Sequence, residues 1–194
     1  DMCGAATVFG LMQALHASGY NGRVNGIAWL AENMPGSGSY RPGDVFKTYS
    51  GKTVEVYSTD AEGRNVLADG LWKAAEFDPE YIVDLATLTG AVVVALGNQI
   101  TGMWSNDELL AERLERSAHA CGEPMWRMPL NDQFRRYMTD TPFADIRTGS
   151  SGGRAGSSNG AAAFLEFFVP TRNYEEDPDK LPWVHLDIAG TAWG

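Results

Sequence analysis

Seven residues carry the most chemical information in this 194-residue chain: Ser58-Thr59-Asp60-Ala61-Glu62-Gly63-Arg64. Asp60 and Glu62 are two apart, so an irregular turn would aim both carboxylates at one point. Close carboxylates repel each other unless a cation sits between them. Oxygen-rich sites suit hard or borderline divalent ions such as Mg, Mn or Zn. Arg64 adds a planar cationic fork that fits a carboxylate, a phosphate or a small oxyanion. A purely structural reading of the same residues makes Thr59 or Asp60 a helix N-cap, Glu62 a first-turn acid favoured by the helix dipole, and Arg64 a surface residue. Asp-x-Glu pairs are common, and spacing alone favours that structural reading.

The elements around the heptapeptide follow from hydrophobic periodicity. Residues 52–57 (KTVEVY) alternate apolar and polar at period two, the pattern of a half-solvated strand. Residues 60–76 carry Leu67, Leu71, Ala74 and Ala75 at helical spacing. The heptapeptide thus falls where a strand runs into a helix, the junction at which open α/β sheets bind ligands. Further along, 4–18 reads as a mostly buried helix ended by Gly19, and 24–31 (VNGIAWLA) as a buried strand. Strands are also expected at 81–85, 100–104 and 183–188. Residues 107–120 form an amphipathic helix with Leu109, Leu110 and Leu114 inside. A Gly/Ser loop at 149–159 leads into an Ala/Phe-rich helix at about 160–169, and 174–180 (YEEDPDK) reads as an exposed acidic loop. Alternating strands and helices without a repeat or linker predict one three-layer αβα domain around a mixed, largely parallel sheet.

Composition narrows the partners. Hydrophobic residues make up 44% and charged residues 21%, ordinary values for a packed globular chain. The formal charge of −10 and the pI near 4.7 argue against nucleic acid and anionic membranes, which need clustered positive charge. No apolar run is long enough to span a bilayer. Cys3 and Cys121 are too few for a disulfide framework, and neither belongs to a CxxC pair. His16, His119 and His185 lie far apart, so a Cys/His zinc site is not expected. A reducing, cytoplasmic home is the plain expectation. The chain opens on Asp1 rather than Met and runs straight into a helical pattern, so it reads as the inside of a longer protein.

Other signals are weaker. Ser50-Gly51-Lys52-Thr53 resembles the end of a phosphate-binding loop, but Phe46 stands where the first Gly is required and a strand follows. The 149–159 loop precedes a helix and could cradle an anion or act as a flexible active-site loop. His185 lies on an apolar strand and reads as a hydrogen-bonded core histidine. Cys3, next to Gly4, Ala5 and Ala6, reads as part of a closely packed helix. No Gly-x-Ser-x-Gly elbow supports a serine hydrolase.

Longer blocks carry a resemblance. Residues 58–64 resemble the N-T-D-A-E-G-R signature of the leucyl aminopeptidase (M17) family of two-metal exopeptidases, with Ser58 where the family usually has Asn. In the same order, residues 1–6 (DMCGAA), 32–35 (ENMP), 40–44 (YRPGD), 50–56 (SGKTVEV), 84–91 (DLATLTGA) and 185–190 (HLDIAG) are similar to further family segments. The resemblance implies a zinc-exopeptidase-like domain, incomplete at both ends, with the family's amino-terminal domain absent. It implies Asp1, Asp60 and Glu62 as metal ligands, Glu62 bridging two ions (Zn or Mn, with Mg or Co as options). The family takes a lysine, a second aspartate and a catalytic lysine from a segment preceding the position of Asp1. Arg64 would hold a bicarbonate-like anion serving as general base. Ser58, Thr87, Leu88 and Gly90 would contact substrate, and Ala189 and Ala192 would wall the side-chain pocket. The implied activity is removal of an N-terminal residue, Leu or another apolar one, from peptides, in a parent protein that assembles as a homohexamer. For the 194-residue chain alone, weak or absent activity is expected, and a non-catalytic assembly module is the alternative.

Overall fold

In a computed structural model of the chain, residues 2–149, 155–171 and 180–193 are described. The architecture is mixed α/β, with the strands divided between two sheets flanked by helices. The smaller sheet has the order β1 (Val45–Lys47), β2 (Thr53–Glu55), β6 (Ile146–Arg147). β1 and β2 are an antiparallel hairpin, and β6 pairs parallel to β2. The hairpin turn closes with Gly51 N–H on Thr48 O at 2.9 Å, and Gly51 sits at φ +85°, a conformation open to glycine at no steric cost. Asp145 pins the ladder by accepting both the Thr53 N–H and the Thr53 hydroxyl at 2.8 Å.

The larger sheet has the order β3 (Ile82–Ala86), β7 (Trp183–Asp187), β4 (Thr101–Ser105), β5 (Met125–Arg127). β3–β7 and β4–β5 pair parallel, while β4–β7 pair antiparallel. Side chains alternate across β7. Val184 and Leu186 pack with Met103, Leu110 and Ala111, placing α4 (Glu108–Cys121) on that face. Trp183 packs on the other face with Phe164 of α6 (Ser157–Phe167), Phe168 at its C-cap and Leu71 of α2 (Glu62–Ala75). Asp107 caps α4 by accepting the Leu110 N–H at 2.7 Å, and Gly122 ends it in the left-handed conformation.

Three expectations are corrected. The helix at 4–18 forms as α1 (Cys3–Ala17), but only Gly4 in it is buried, where it meets the backbone of Leu85 at the end of β3. The run at 24–31 is not a strand and is mostly exposed. Strands exist only within ladders, and among the described residues no strand pairs with this segment. Leu109 is 54% exposed, whereas Leu110 and Ala111 face the sheet. The short strands β1, β5 and β6 and the helices α3 (Gly90–Leu96) and α5 (Asp132–Thr139) add to the elements read from sequence. The 174–180 loop and the middle of the 149–159 loop fall mostly outside the described residues, and Ser157 already belongs to α6. No helix among the described residues is long and apolar enough to cross a membrane.

Candidate active site

The heptapeptide adopts an irregular turn. Ser58 is extended, and its Oγ accepts the Asp60 N–H at 3.3 Å, capping a single 3₁₀ turn over Thr59–Ala61. Asp60, at φ −82° and ψ 18°, breaks the helical geometry. α2 then starts afresh at Glu62. The kink puts Asp60 in the 3₁₀ turn and Glu62 in the first helical turn, where the helix dipole favours an acid. Asp60 is exposed and Glu62 half-buried. Among the described residues neither forms an ion pair. Asn33 Nδ2 donates to Glu62 Oε1 at 3.3 Å, and the Tyr40 hydroxyl donates to Thr59 O at 3.4 Å. Burial, with the Glu62 charge adding to it, raises the pKa of that phenol.

Arg64 departs from the structural reading of the motif at one point, while Glu62 occupies the first helical turn as that reading expects. It is not a surface residue: only 8% of it is exposed. Its NH1 donates to Thr148 O at 2.8 Å, and its guanidinium lies 5.9 Å from the Phe164 ring centroid. Burial pulls its pKa down to about 10, against the opposing pull of Asp187 and Glu62. It therefore remains a cation at neutral pH. Thr148 extends the β6 strand, and its hydroxyl also accepts the Tyr57 N–H at 3.0 Å and the Ser58 N–H at 3.2 Å. One threonine thus fixes both the entrance to the heptapeptide and the arginine at its exit.

The proposed substrate segments meet at Asp187, the last residue of β7. Its Oδ1 accepts the N–H groups of Leu88 (3.1 Å), Thr89 (3.3 Å) and Ala189 (3.2 Å), and its Oδ2 accepts the Thr89 hydroxyl at 2.6 Å. The Thr89 hydroxyl in turn caps α3, whose first residue is Gly90. Leu88, Thr89 and Ala189 therefore share one carboxylate. A Cβ on Gly63 would lie 3.3 Å from Leu88 Cδ1, which puts the heptapeptide beside the same loop. Ala189 is buried against Val92, Trp104 and Ala162. Ala192 is half-buried and turns back to donate its N–H to Ile188 O at 2.9 Å; no contact places it against the acids.

Asp1 lies outside the described residues. Among those that are described, no three His, Cys, Asp or Glu side chains converge to hold a metal ion. Asp60 and Glu62 have the right donor chemistry for a divalent cation but do not complete a coordination shell by themselves. Thr148, Asp187, Asn33 and Tyr40 escape a reading based on titratable spacing, because each acts through backbone groups or a neighbour. Asn33, Tyr40 and Asp187 lie within the family-like segments 32–35, 40–44 and 185–190, whereas Thr148 lies in none of them.

The fold defines the class, a mixed α/β protein, with Asp60, Glu62 and the buried Arg64 where a strand of the smaller sheet runs into α2. Known proteins give the particular family. The cytosol aminopeptidase family, catalytic domain, matches residues 1–194. A probable cytosol aminopeptidase of Chelativorans sp. (strain BNC1) is 49% identical over 195 residues, covering 100% of this chain and 37% of that one. That of Xanthobacter autotrophicus is 49% identical over 193 residues, covering 99% and 36%. A tomato leucine aminopeptidase mutant superposes with a TM-score of 0.86 at 38% identity, covering 100% of this chain and 36% of that one. The chain belongs to the cytosol aminopeptidase family, and it spans just over a third of the length of these relatives.

Proposed function

We propose that the full-length protein containing this chain is a metal-dependent aminopeptidase that removes an N-terminal residue, Leu or another apolar one, from peptides. The observation that carries the reading is the buried Arg64 behind Asp60 and Glu62, carboxylates that form no ion pair among the described residues, beside backbone segments joined by Asp187. Family membership at 49% identity supports it. In this reading Asp60 and Glu62, with Asp1, are ligands to two divalent metals (Zn or Mn, with Mg or Co as options), and the remaining donors come from other parts of the whole protein. When bound, such ions polarise the scissile carbonyl and lower the pKa of water.

The chain's own residues do the rest. Arg64, cationic at neutral pH, holds a bicarbonate-like anion that takes a proton from the attacking water. Asn33 fixes the rotation of the Glu62 carboxylate. Backbone groups of Thr87, Leu88 and Gly90 orient the peptide, Ser58 contacts it at the strand end, and Ala189 and Ala192 leave room for its first side chain. The protein works in the cytoplasm as a homo-oligomer, a hexamer by family resemblance. The exposed Phe9 and Leu11 on α1 favour a second reading, a non-catalytic assembly module. Turnover of leucine p-nitroanilide by the full-length protein separates the two. The aminopeptidase reading expects activity that a chelator abolishes and Mn or Zn restores. Chelator-insensitive turnover, or none after metal is restored, contradicts it.

A further inference from the structure

Behind the site lies a buried polar group that the reading above does not use. Asp84, His185 and Trp104 form one cross-strand row over β3, β7 and β4. Asp84 is fully engaged: Oδ2 accepts Trp183 Nε1–H and Oδ1 accepts His185 Nδ1–H, both at 2.6 Å. The imidazole stacks on Trp183, with ring centroids 6.3 Å apart and planes 10° apart, and packs at 5.7 Å against Trp104. Its position and tautomer are therefore set, and its Nε2 edge is left over. Among the described residues that atom has no partner, although His185 is only 1% exposed. Arg64 Nε is the same: buried and without a partner.

Buried polar atoms in native proteins are nearly always satisfied, by protein or by ordered water. His185 lies two residues before Asp187 on the same face of β7, and both it and Arg64 feel the Asp187 charge. Arg64 lies over Phe164, which shares a core cluster with Trp183, the ring on which His185 stacks, so the two unsatisfied edges lie on the same side of the larger sheet. One water placed between them would accept from Arg64 Nε–H and either donate to or accept from the imidazole, and so would serve both edges.

We propose that Asp84 and His185 are positioning residues for the hydrolysis, His185 holding the Nε edge of Arg64 through a buried water so that the guanidinium presents its other edge to the anion. The inference rests on the aminopeptidase reading, and the test keeps the two apart. In the full-length, metal-loaded protein, kcat and KM for leucine p-nitroanilide are measured for wild type, Asp84→Asn, His185→Gln and His185→Phe, with metal content and melting temperature alongside. His185→Phe should lower kcat about tenfold or more while KM stays within about threefold, and metal content should be unchanged. His185→Gln, whose amide reaches the Nε2 position, should recover part of the loss. Full kcat in folded His185→Phe, or losses that only follow the melting temperature, overturn the proposal. If His185→Phe does not fold, a high-resolution crystal structure of the wild type decides. A water within hydrogen-bond distance of both His185 Nε2 and Arg64 Nε supports the proposal, and its absence overturns it. An inactive wild type would sink the aminopeptidase reading, while the water remains observable.

Discussion

A guanidinium taken out of water loses hydration that its new surroundings must replace. Arg64 receives one carbonyl, an aromatic face and the field of two nearby carboxylates, and its depressed pKa records that burial outweighs them. Such an incompletely compensated cation is suited to an anionic ligand. Arg64→Ala in the full-length protein should lower kcat by about 10²–10³, the scale of losing an electrostatic stabiliser. Arg64→Lys should restore only part of it, since an ammonium lacks the fork. Steady-state kinetics checks both. His185 gives a pH prediction. Burial opposes its charged form, but the Asp84 charge and hydrogen bond outweigh burial and raise its pKa; Asp187 adds to the rise and Arg64 opposes it. A raised pKa means the folded state binds the proton more tightly. That contribution is complete below the unfolded value of about 6.5 and is lost as pH rises through the folded value. The melting-temperature gap between wild type and Asp84→Asn should therefore be wider at about pH 6 than at about pH 9. An equal gap at both would contradict the pairing.

At the scale of elements, the site depends on chain ends that stop and turn where they do. Gly190 follows Ala189, and a Cβ there would press on the backbone oxygen of Gly97, which has no rotamer to yield. Gly190→Ala should destabilise the chain by about 1–3 kcal/mol. In the full-length protein it should also reduce turnover, whereas Asp107→Ala, which removes the α4 cap, should cost about 1 kcal/mol and leave turnover alone. Denaturant melts and kinetics on both variants separate the effects. β2, α2 and α4 were legible in the sequence because each carries a regular period, and β3 and β7 because each is a short, largely apolar run. β1, β5 and β6 were not, since two or three residues carry no period. The 24–31 run failed for the opposite reason: its pattern is strong, but pattern cannot supply a neighbouring strand. Asp60, Glu62 and Arg64 stood out by spacing, while Thr148 and Asp187 reach the site through contacts more than 80 residues apart in sequence.

At the scale of the whole molecule, several large apolar side chains near the start of the chain are exposed. Phe9 and Leu11 of α1 and Trp29, Leu30 and Met34 of the following segment are all exposed, some by more than half. Patches of this kind mark contact surfaces. The isolated 194-residue chain should bind an apolar fluorescent dye more strongly, per mole, than the full-length protein, and should self-associate despite its charge of −10. Equal dye binding would mean that this surface stays open in the longer protein.

The central proposal is that Asp60, in the 3₁₀ turn, and Glu62, at the start of α2, are cation ligands in front of Arg64. Its most direct test is Glu62→Gln in the full-length protein, a change that keeps shape and removes charge, read by bound metal per subunit, leucine p-nitroanilide turnover and oligomeric state together. The account predicts a subunit that assembles normally, holds less metal and turns over at least about 10²-fold more slowly. Undiminished metal and turnover in that variant would contradict it.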